Sequence, residues 1–421
     1  MDEQTYGCPE HAGQLSFEKE YHPFDPSQLE DPYSFFARAR REQPVFFSEE
    51  IGAWVITRYD DIRSILLQPE IFSSKDTLRP LVEFTPEVFH VLSTGYGFTP
   101  HMISADGAEH TRLRWSIYQA FLPGRIKKME TVIYDVADKL LDDFSRDGHA
   151  DLVAAFSYLF PLEVILLMFG VPRSRLADAK RWSVDMQALI STPMPPQRQI
   201  ECAQHFVALQ KYIAELIEVR QKAPGDDVIS VMLAAQEQKH HLNLVEMVGA
   251  LSGTLMAGHE TTSSLISTAV YTLLSRPGSW QMLNTQPERI PDVVEEVLRF
   301  DGSGYAFYRT ALQEVAVGGV KIPQGALLLL VYGSANHDET QFPNAEEFDL
   351  HRAPMQHVAF GHGIHFCIGA ALARLETRIA LERLSQRLPG LRLKADQTIA
   401  HVPNLMFRGL KKLEVEWNKA E

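Results

Sequence analysis

Phe360-Gly361-His362-Gly363-Ile364-His365-Phe366-Cys367-Ile368-Gly369 is the stretch on which the fold turns. An amphipathic helical pattern from Ala370 to Leu388 follows it, so Cys367 stands just before a helix N-terminus. Backbone N–H groups and the helix dipole at such an end favour a thiolate. The glycines let the backbone turn tightly and approach a flat partner closely. Two plainer readings compete. A free cysteine is commonly just a small buried hydrophobe. A zinc site built from His362, His365 and Cys367 would have tightly spaced ligands and no partner pair elsewhere. Neither accounts for glycines, an aromatic, a histidine and a following helix at these offsets.

A thiolate in a water-poor loop suits haem iron, and its electron donation favours O–O cleavage. Upstream, Asn243 to about Ser275 holds no proline, and Pro277-Gly278 ends the run. Asn243 reads as the N-cap of one continuous helix. At 1.5 Å per residue it would be roughly 50 Å long and cross the whole molecule. In its middle lies Ala257-Gly258-His259-Glu260-Thr261-Thr262. Glycine weakens a helix and threonine can bond back to a carbonyl one turn earlier, so the helix can bend or admit water here. Glu296-x-x-Arg299 sits on another helical pattern, at a spacing that puts both side chains on one face.

The cysteine loop resembles the haem-binding signature of cytochrome P-450 enzymes, Phe-Gly-x-Gly-x-His-x-Cys-x-Gly, at every defined position. The resemblance runs from about Phe24 to Leu413. It implies a mainly α fold with a minor β part, a single large domain with haem b between the long central helix and the Cys367 loop. Cys367 would be the iron ligand, with Phe360, Gly361, Gly363, Gly369 and Ala257 against the haem. The two propionates need cationic or hydrogen-bonding partners, and the matching positions are His110, Arg114, Arg309 and His365. Glu260 and Thr261 match the family's oxygen-activating acid and alcohol. Thr261 would hold a water and bond the distal oxygen, and Glu260 would relay protons from solvent. Glu296, Arg299 and Arg352 match a structural triad that braces the core. By the same likeness the substrate pocket gathers the central helix, the loop from Ser73 to Thr99, the break Ser191 to Pro196, the strand start Tyr305 to Tyr308 and the turn Asn404 to Phe407. The expected substrate contacts are Gly253, Met256, Ala257, Phe307, Leu405 and Met406. Aromatic and Met residues recur in these segments, which suits an apolar, aromatic-accepting pocket.

The activity so implied is a monooxygenase that inserts one atom of O2 into a small organic substrate. A hydrogen-peroxide-driven peroxygenase and a non-catalytic haem sensor or carrier are the alternatives, and Glu260-Thr261 argues against both. Ala335 to Glu339 and Pro403 to Gly409 loosely resemble bacterial members fused to a reductase. The chain ends at Glu421 without such a module, which implies a separate ferredoxin and reductase. Arg112, Lys127 and Lys128 form a basic stretch, next to Arg125, where an acidic donor could be steered.

Bulk composition narrows the rest. The 421 residues carry 40 Lys and Arg against 54 Asp and Glu, a formal net charge of -14. That balance argues against sequence-independent nucleic-acid binding, which relies on basic residues to neutralise phosphates. Three cysteines, Cys8, Cys202 and Cys367, fit a reducing cytoplasm better than a disulfide scaffold. The longest apolar run, near Leu162 to Gly170, is far shorter than the roughly 20 residues that span a bilayer. No linker divides the chain. The reading is a poorly ordered tail over residues 1–20 and one domain over 21–421. Cys8 and His11 in that tail are too few for a metal site. Val45 to Phe47 with Ala53 to Thr57 reads as a hairpin, and strands recur over Val315 to Ile322 and Ala326 to Tyr332.

Overall fold

The computed structural model describes residues 17–78, 83–98, 101–191, 194–236, 241–353 and 355–419. Cys8 and His11 lie outside them, as do parts of the Ser73 to Thr99 and Ser191 to Pro196 segments. Residues 17–20, which the sequence reading places in a poorly ordered tail, are ordered. Phe17–Glu20 is a short helix, and the Phe17 ring is buried edge-on to Phe35 with centroids 5.5 Å apart. An aromatic cluster with Phe46 anchors this segment, which a polar sequence context does not reveal.

One five-stranded sheet flanks the helices. Its strands are β1 (Val45–Ser48), β2 (Ala53–Ile56), β3 (Phe72–Ser73), β4 (Ala306–Ala311) and β5 (Leu327–Val331), in spatial order β1-β2-β5-β4-β3. The expected hairpin is present, with Phe46 opposite Val55. β2 and β5 run parallel, with Val55 opposite Leu329, and the other neighbours are antiparallel. β5, Leu-Leu-Leu-Leu-Val, is apolar throughout because both of its faces and both edges are covered. The Val315–Val317 and Val320–Ile322 strands form a separate hairpin.

Helices make up most of the remainder, and those that place the site are α1 (Tyr59–Leu66), α2 (Gly107–Tyr118), α3 (Leu159–Met168), α4 (Leu176–Ser191), α5 (Pro196–Lys222), α6 (Leu244–Ala257), α7 (Glu260–Leu274), α8 (Ile290–Asp301) and α9 (Ala370–Arg387). The fold is therefore mainly α with a minor β part. Among the described residues no helix is long and apolar enough to cross a membrane.

The long central helix is two helices, which corrects the continuous 50 Å rod. α6 starts with a capping box: Glu246 N donates to Asn243 Oδ1 at 3.0 Å, and Asn243 N to Glu246 Oε2 at 2.9 Å. It ends at Gly258, and His259 departs from helical geometry at φ -121°, ψ -50° before α7 begins. Hydroxyls on both sides of the break, Thr254 and Thr261, bond back to the carbonyls of Ala250 and Ala257. That competition with the backbone ladder opens the helix at the position of the glycine. Every residue of α6 from Met247 to Met256 is buried, so α6 runs through the core. α7 and α9 pack side by side in the same apolar cluster, and Glu376 of α9 is fully buried without a partner for either carboxyl oxygen. Burial pushes the Glu376 carboxyl well above the ordinary glutamate range.

Candidate active site

The break between α6 and α7 faces the Cys367 loop across a cavity of about 1400 Å³, its mouth to solvent included. The loop is held by its own backbone. Cys367 N donates to Phe360 O at 2.9 Å, Gly361 N to Val358 O at 2.8 Å and Phe366 N to Gly363 O at 3.1 Å. Gly361 and Gly363 both sit at φ +69°, a region that side chains avoid. A Cβ on Gly363 would also meet the Leu66 carbonyl of α1 at 2.4 Å. Gly363 therefore fixes the loop against α1 and does not line the cavity, whereas Phe360, Gly361, His365, Cys367 and Gly369 do. The Arg374 guanidinium lies 4.6 Å over the Phe360 ring and pairs with Glu295.

Burial pushes the Cys367 thiol up, while the N–H groups of Gly369 and Ala370 and the charges of Arg114 and Arg374 pull it down. Desolvation outweighs the helix end. The residues ask for a positive centre at Cys367.

Of the four positions expected to meet propionates, Arg114, Arg309 and His365 line the cavity, and His110 stands against His365 without reaching the lining. The His110 and His365 rings lie 4.2 Å apart. His365 Nε2 is 2.9 Å from Ser74 Oγ, and His110 Nε2 is buried with no partner. Arg309 Nη1 donates to Thr77 Oγ1 at 2.9 Å, and Arg114 Nη2 to the Phe366 carbonyl at 2.7 Å. Among the described residues neither guanidinium makes an ion pair. Burial holds both imidazoles neutral, down to about 4 for His110 and about 3 for His365, where the charge of Arg309 adds to the effect. Two unpaired guanidiniums and an orphaned imidazole nitrogen at one place form a receptor for carboxylates. A flat cofactor with two carboxylates and a metal that takes a thiolate fits this donor set.

On the other wall Met256, Ala257 and Thr261 line the cavity, and Ala257 is exposed to it. Thr261 Oγ1 donates to Ala257 O at 2.9 Å. Glu260 points away and is not in the lining. Its carboxyl is pushed up to about 8 by burial alone, so it is largely protonated at pH 7.

Three of the expected substrate contacts are elsewhere. Gly253 lies beneath the ring of His101, where a Cβ would come within 2.1 Å of the imidazole. The glycine makes room for that side chain and is covered by it. Leu405 and Met406 are core residues, 3% and 0% exposed, and Met406 O accepts from Tyr305 N at 2.8 Å. Their neighbour Phe407 lines the cavity instead, edge-on to Phe307 with centroids 5.6 Å apart. Asn404 Oδ1 accepts from both Met406 N and Phe407 N, and this turn decides which side chain faces in. Leu78 bears out the Ser73 to Thr99 segment, whereas His101, Met102 and Gln187 line the cavity from outside the expected segments. No local signal marks them, because their position depends on distant partners.

Glu296, Arg299 and Arg352 do meet. Arg299 Nε and Nη2 donate to the two Glu296 oxygens at 2.9 and 2.8 Å, and Arg352 Nε reaches them at 3.0 and 3.1 Å. Arg112 departs from expectation: it pairs with Glu246 at 2.5 Å and donates to His241 O at 3.2 Å. It belongs to the joint between α2 and α6 and is not a free surface cation. Arg125 is likewise paired, with Asp226. Lys127 and Lys128 are exposed.

The family model described as Cytochrome P450 matches residues 31–396. The chain is 34% identical over 407 residues to cytochrome P450 107B1 of Saccharopolyspora erythraea, covering 93% of this chain and 96% of that protein. It is 36% identical over 370 residues to the mycinamicin IV hydroxylase/epoxidase of Micromonospora griseorubida, covering 87% and 89%. The solved structure of cytochrome P450 CREJ in complex with (4-ethylphenyl) dihydrogen phosphate superposes with a TM-score of 0.90 at 35% identity, over 95% of this chain and all of that one.

Proposed function

The chain belongs to the cytochrome P450 family of haem-dependent monooxygenases, and from that membership we propose that it inserts one oxygen atom from O2 into a small, apolar, aromatic-accepting organic substrate. The observation that carries this reading is the convergence of the Cys367 thiol and the Thr261 hydroxyl on one largely apolar cavity.

The group that fits this donor set is haem b, whose iron Cys367 Sγ would hold and whose propionates Arg114, Arg309, His110 and His365 would meet. When bound, it supplies the iron at which dioxygen is reduced and from which oxygen is transferred. The chain's own residues do the rest. The aromatic pair Phe307 and Phe407 presents flat apolar surface to the substrate, and the cavity walls keep water from competing. Thr261 would exchange its bond to the Ala257 carbonyl for one to a water in the cavity and hold that water's proton for transfer. Glu260, protonated at neutral pH, supplies that hydroxyl with protons. The relative named mycinamicin IV hydroxylase/epoxidase supports oxygen insertion as the reaction type.

Electrons come from a ferredoxin-type donor. With Arg112 and Arg125 paired, Lys127 and Lys128 are the cations left to steer an acidic donor toward the Cys367 side. Thr261→Ala tests the reading. NADH consumption through an added ferredoxin system should continue, with a larger share ending as hydrogen peroxide. Unchanged product per NADH would remove Thr261 from the reaction.

A further inference from the structure

Glu260 can deliver a proton only once unless something reloads it. Behind it, away from the Cys367 cavity, lies a small set of polar groups that the reaction described above does not use. His259, the residue in the break itself, is 0% exposed. Its Nδ1 is 2.9 Å from Ser183 Oγ on α4, and its Nε2 has no partner. The ring of Tyr158, immediately before α3, meets the His259 ring edge to face with centroids 4.7 Å apart. Tyr158 Oη is buried and also has no partner. The exposed Lys180 of α4 places its Nζ 5.0 Å over the Tyr158 ring, on the side that leads to solvent.

Two orphaned polar atoms on rings in contact would each cost about 1–3 kcal/mol if left dry. Native interiors meet such groups with ordered water where the site is polar enough to hold it. The charged and titratable groups around this point are few. From α4 come Lys180 and Asp185, the latter engaged with Arg198 and His205 of α5; from α7 comes Glu260.

We propose that Tyr158 Oη and His259 Nε2 position water behind Glu260, and that this water returns protons from the solvent at Lys180 to the Glu260 carboxyl. In each cycle Glu260 gives one proton toward Thr261 and takes one from this water, which takes one from solvent. Tyr158 and His259 end as they began. Burial keeps the His259 imidazole neutral, down to about 3, and the Tyr158 phenol well above its ordinary range, so neither carries charge at pH 7. They are positioning residues, and the proposal rests on the reading of Glu260 as the proton donor.

The test uses the haem-loaded protein with 13C-labelled glutamate. The carboxylic C=O band of Glu260 is assigned as the one lost in Glu260→Gln, and its hydrogen–deuterium exchange is timed after mixing with D2O. Tyr158→Phe, which keeps the ring and its packing, should slow that exchange on the order of a hundredfold, the size of effect typical of a positioned proton-transfer group. His259→Gln should slow it too, and both should raise the solvent isotope effect on turnover while substrate affinity stays unchanged. Exchange as fast in Tyr158→Phe as in the parent, with Glu260→Gln still lowering product per NADH, overturns the proposal alone. Product per NADH unaffected by Glu260→Gln overturns the reading of Glu260 and this proposal with it.

Discussion

Glu296→Ala should be the most damaging substitution outside the cavity. The Glu296 carboxylate accepts from Arg299 Nε and Nη2, from Arg352 Nε, and from Asp349 N at 2.9 Å. Arg299 and Arg352 are 2% and 9% exposed as side chains, so two guanidiniums would be left enclosed without their counter-charge. Both keep backbone partners: Arg299 the carbonyls of Asn336, Ala345 and Glu347, and Arg352 those of Pro343, Asn344 and Glu347. These hold the side chains in place but do not neutralise them. Removing one partner of a buried pair costs about 3–5 kcal/mol. About 4 kcal/mol, or roughly a thousandfold in the folding equilibrium, is therefore expected. The damage has a direction. Arg299 Nη1 donates to Asn336 O, Asn336 Oδ1 accepts from Val358 N at 2.8 Å, and Val358 O accepts from Gly361 N at the start of the cysteine loop. Urea titration of the haem-loaded protein should show the thiolate Soret signal failing at lower denaturant than the far-ultraviolet signal of the helices. A loss under about 1 kcal/mol, the range of an exposed pair, would refute the argument.

Cys367→Ser should abolish the red-shifted Soret band of the reduced carbon monoxide complex, and survival of that band would remove Cys367 as the ligand. Glu376 is neutral when folded and ionised when unfolded at pH above about 4.5, so it lowers stability progressively as pH rises through that value, by about 1.4 kcal/mol per unit until its folded pKa is reached. Glu376→Gln should match the parent near pH 4 and exceed it at pH 8 in thermal denaturation, and equal curves at pH 8 would contradict this. The double change Lys127→Glu, Lys128→Glu should slow reduction by an acidic ferredoxin at low salt, with the difference fading as the screening length falls to about 10 Å at 0.1 M. Equal stopped-flow rates at low salt would move the docking face elsewhere.

What the sequence makes legible is what is local. The Cys367 loop is closed by hydrogen bonds between residues of the loop itself and followed at once by its helix, so its reading needed nothing distant. The Glu296 and Arg299 spacing is likewise a property of one helix. The weak point in the central helix was visible in Gly258 and Thr261, but a glycine and a threonine are compatible with a bend or a full break. Ile165 packs on Gly258, where a Cβ would lie 3.0 Å away, and the departure from helical geometry falls one residue later at His259. Readings that failed needed a partner from elsewhere. Gly253 reads as open wall until His101 is laid on it. Leu405, Met406 and Phe407 are all apolar, so composition could not say which faces the cavity. Arg112 looks like surface charge until Glu246 arrives from α6.

The parallel pairing of β2 with β5 joins residues near Val55 to residues near Leu329. During synthesis the first hairpin leaves the ribosome long before its neighbour is made, tens of seconds at roughly 5–20 residues per second. Over that interval β2 presents an unpaired edge, and such an edge invites pairing with other chains. The helices between β2 and β5 have local contacts and can assemble meanwhile, so the sheet closes after them. Poor yield on overexpression would then trace to the waiting hairpin, and slowing initiation or adding a chaperone that shields nascent strands should relieve it without any change to the finished protein.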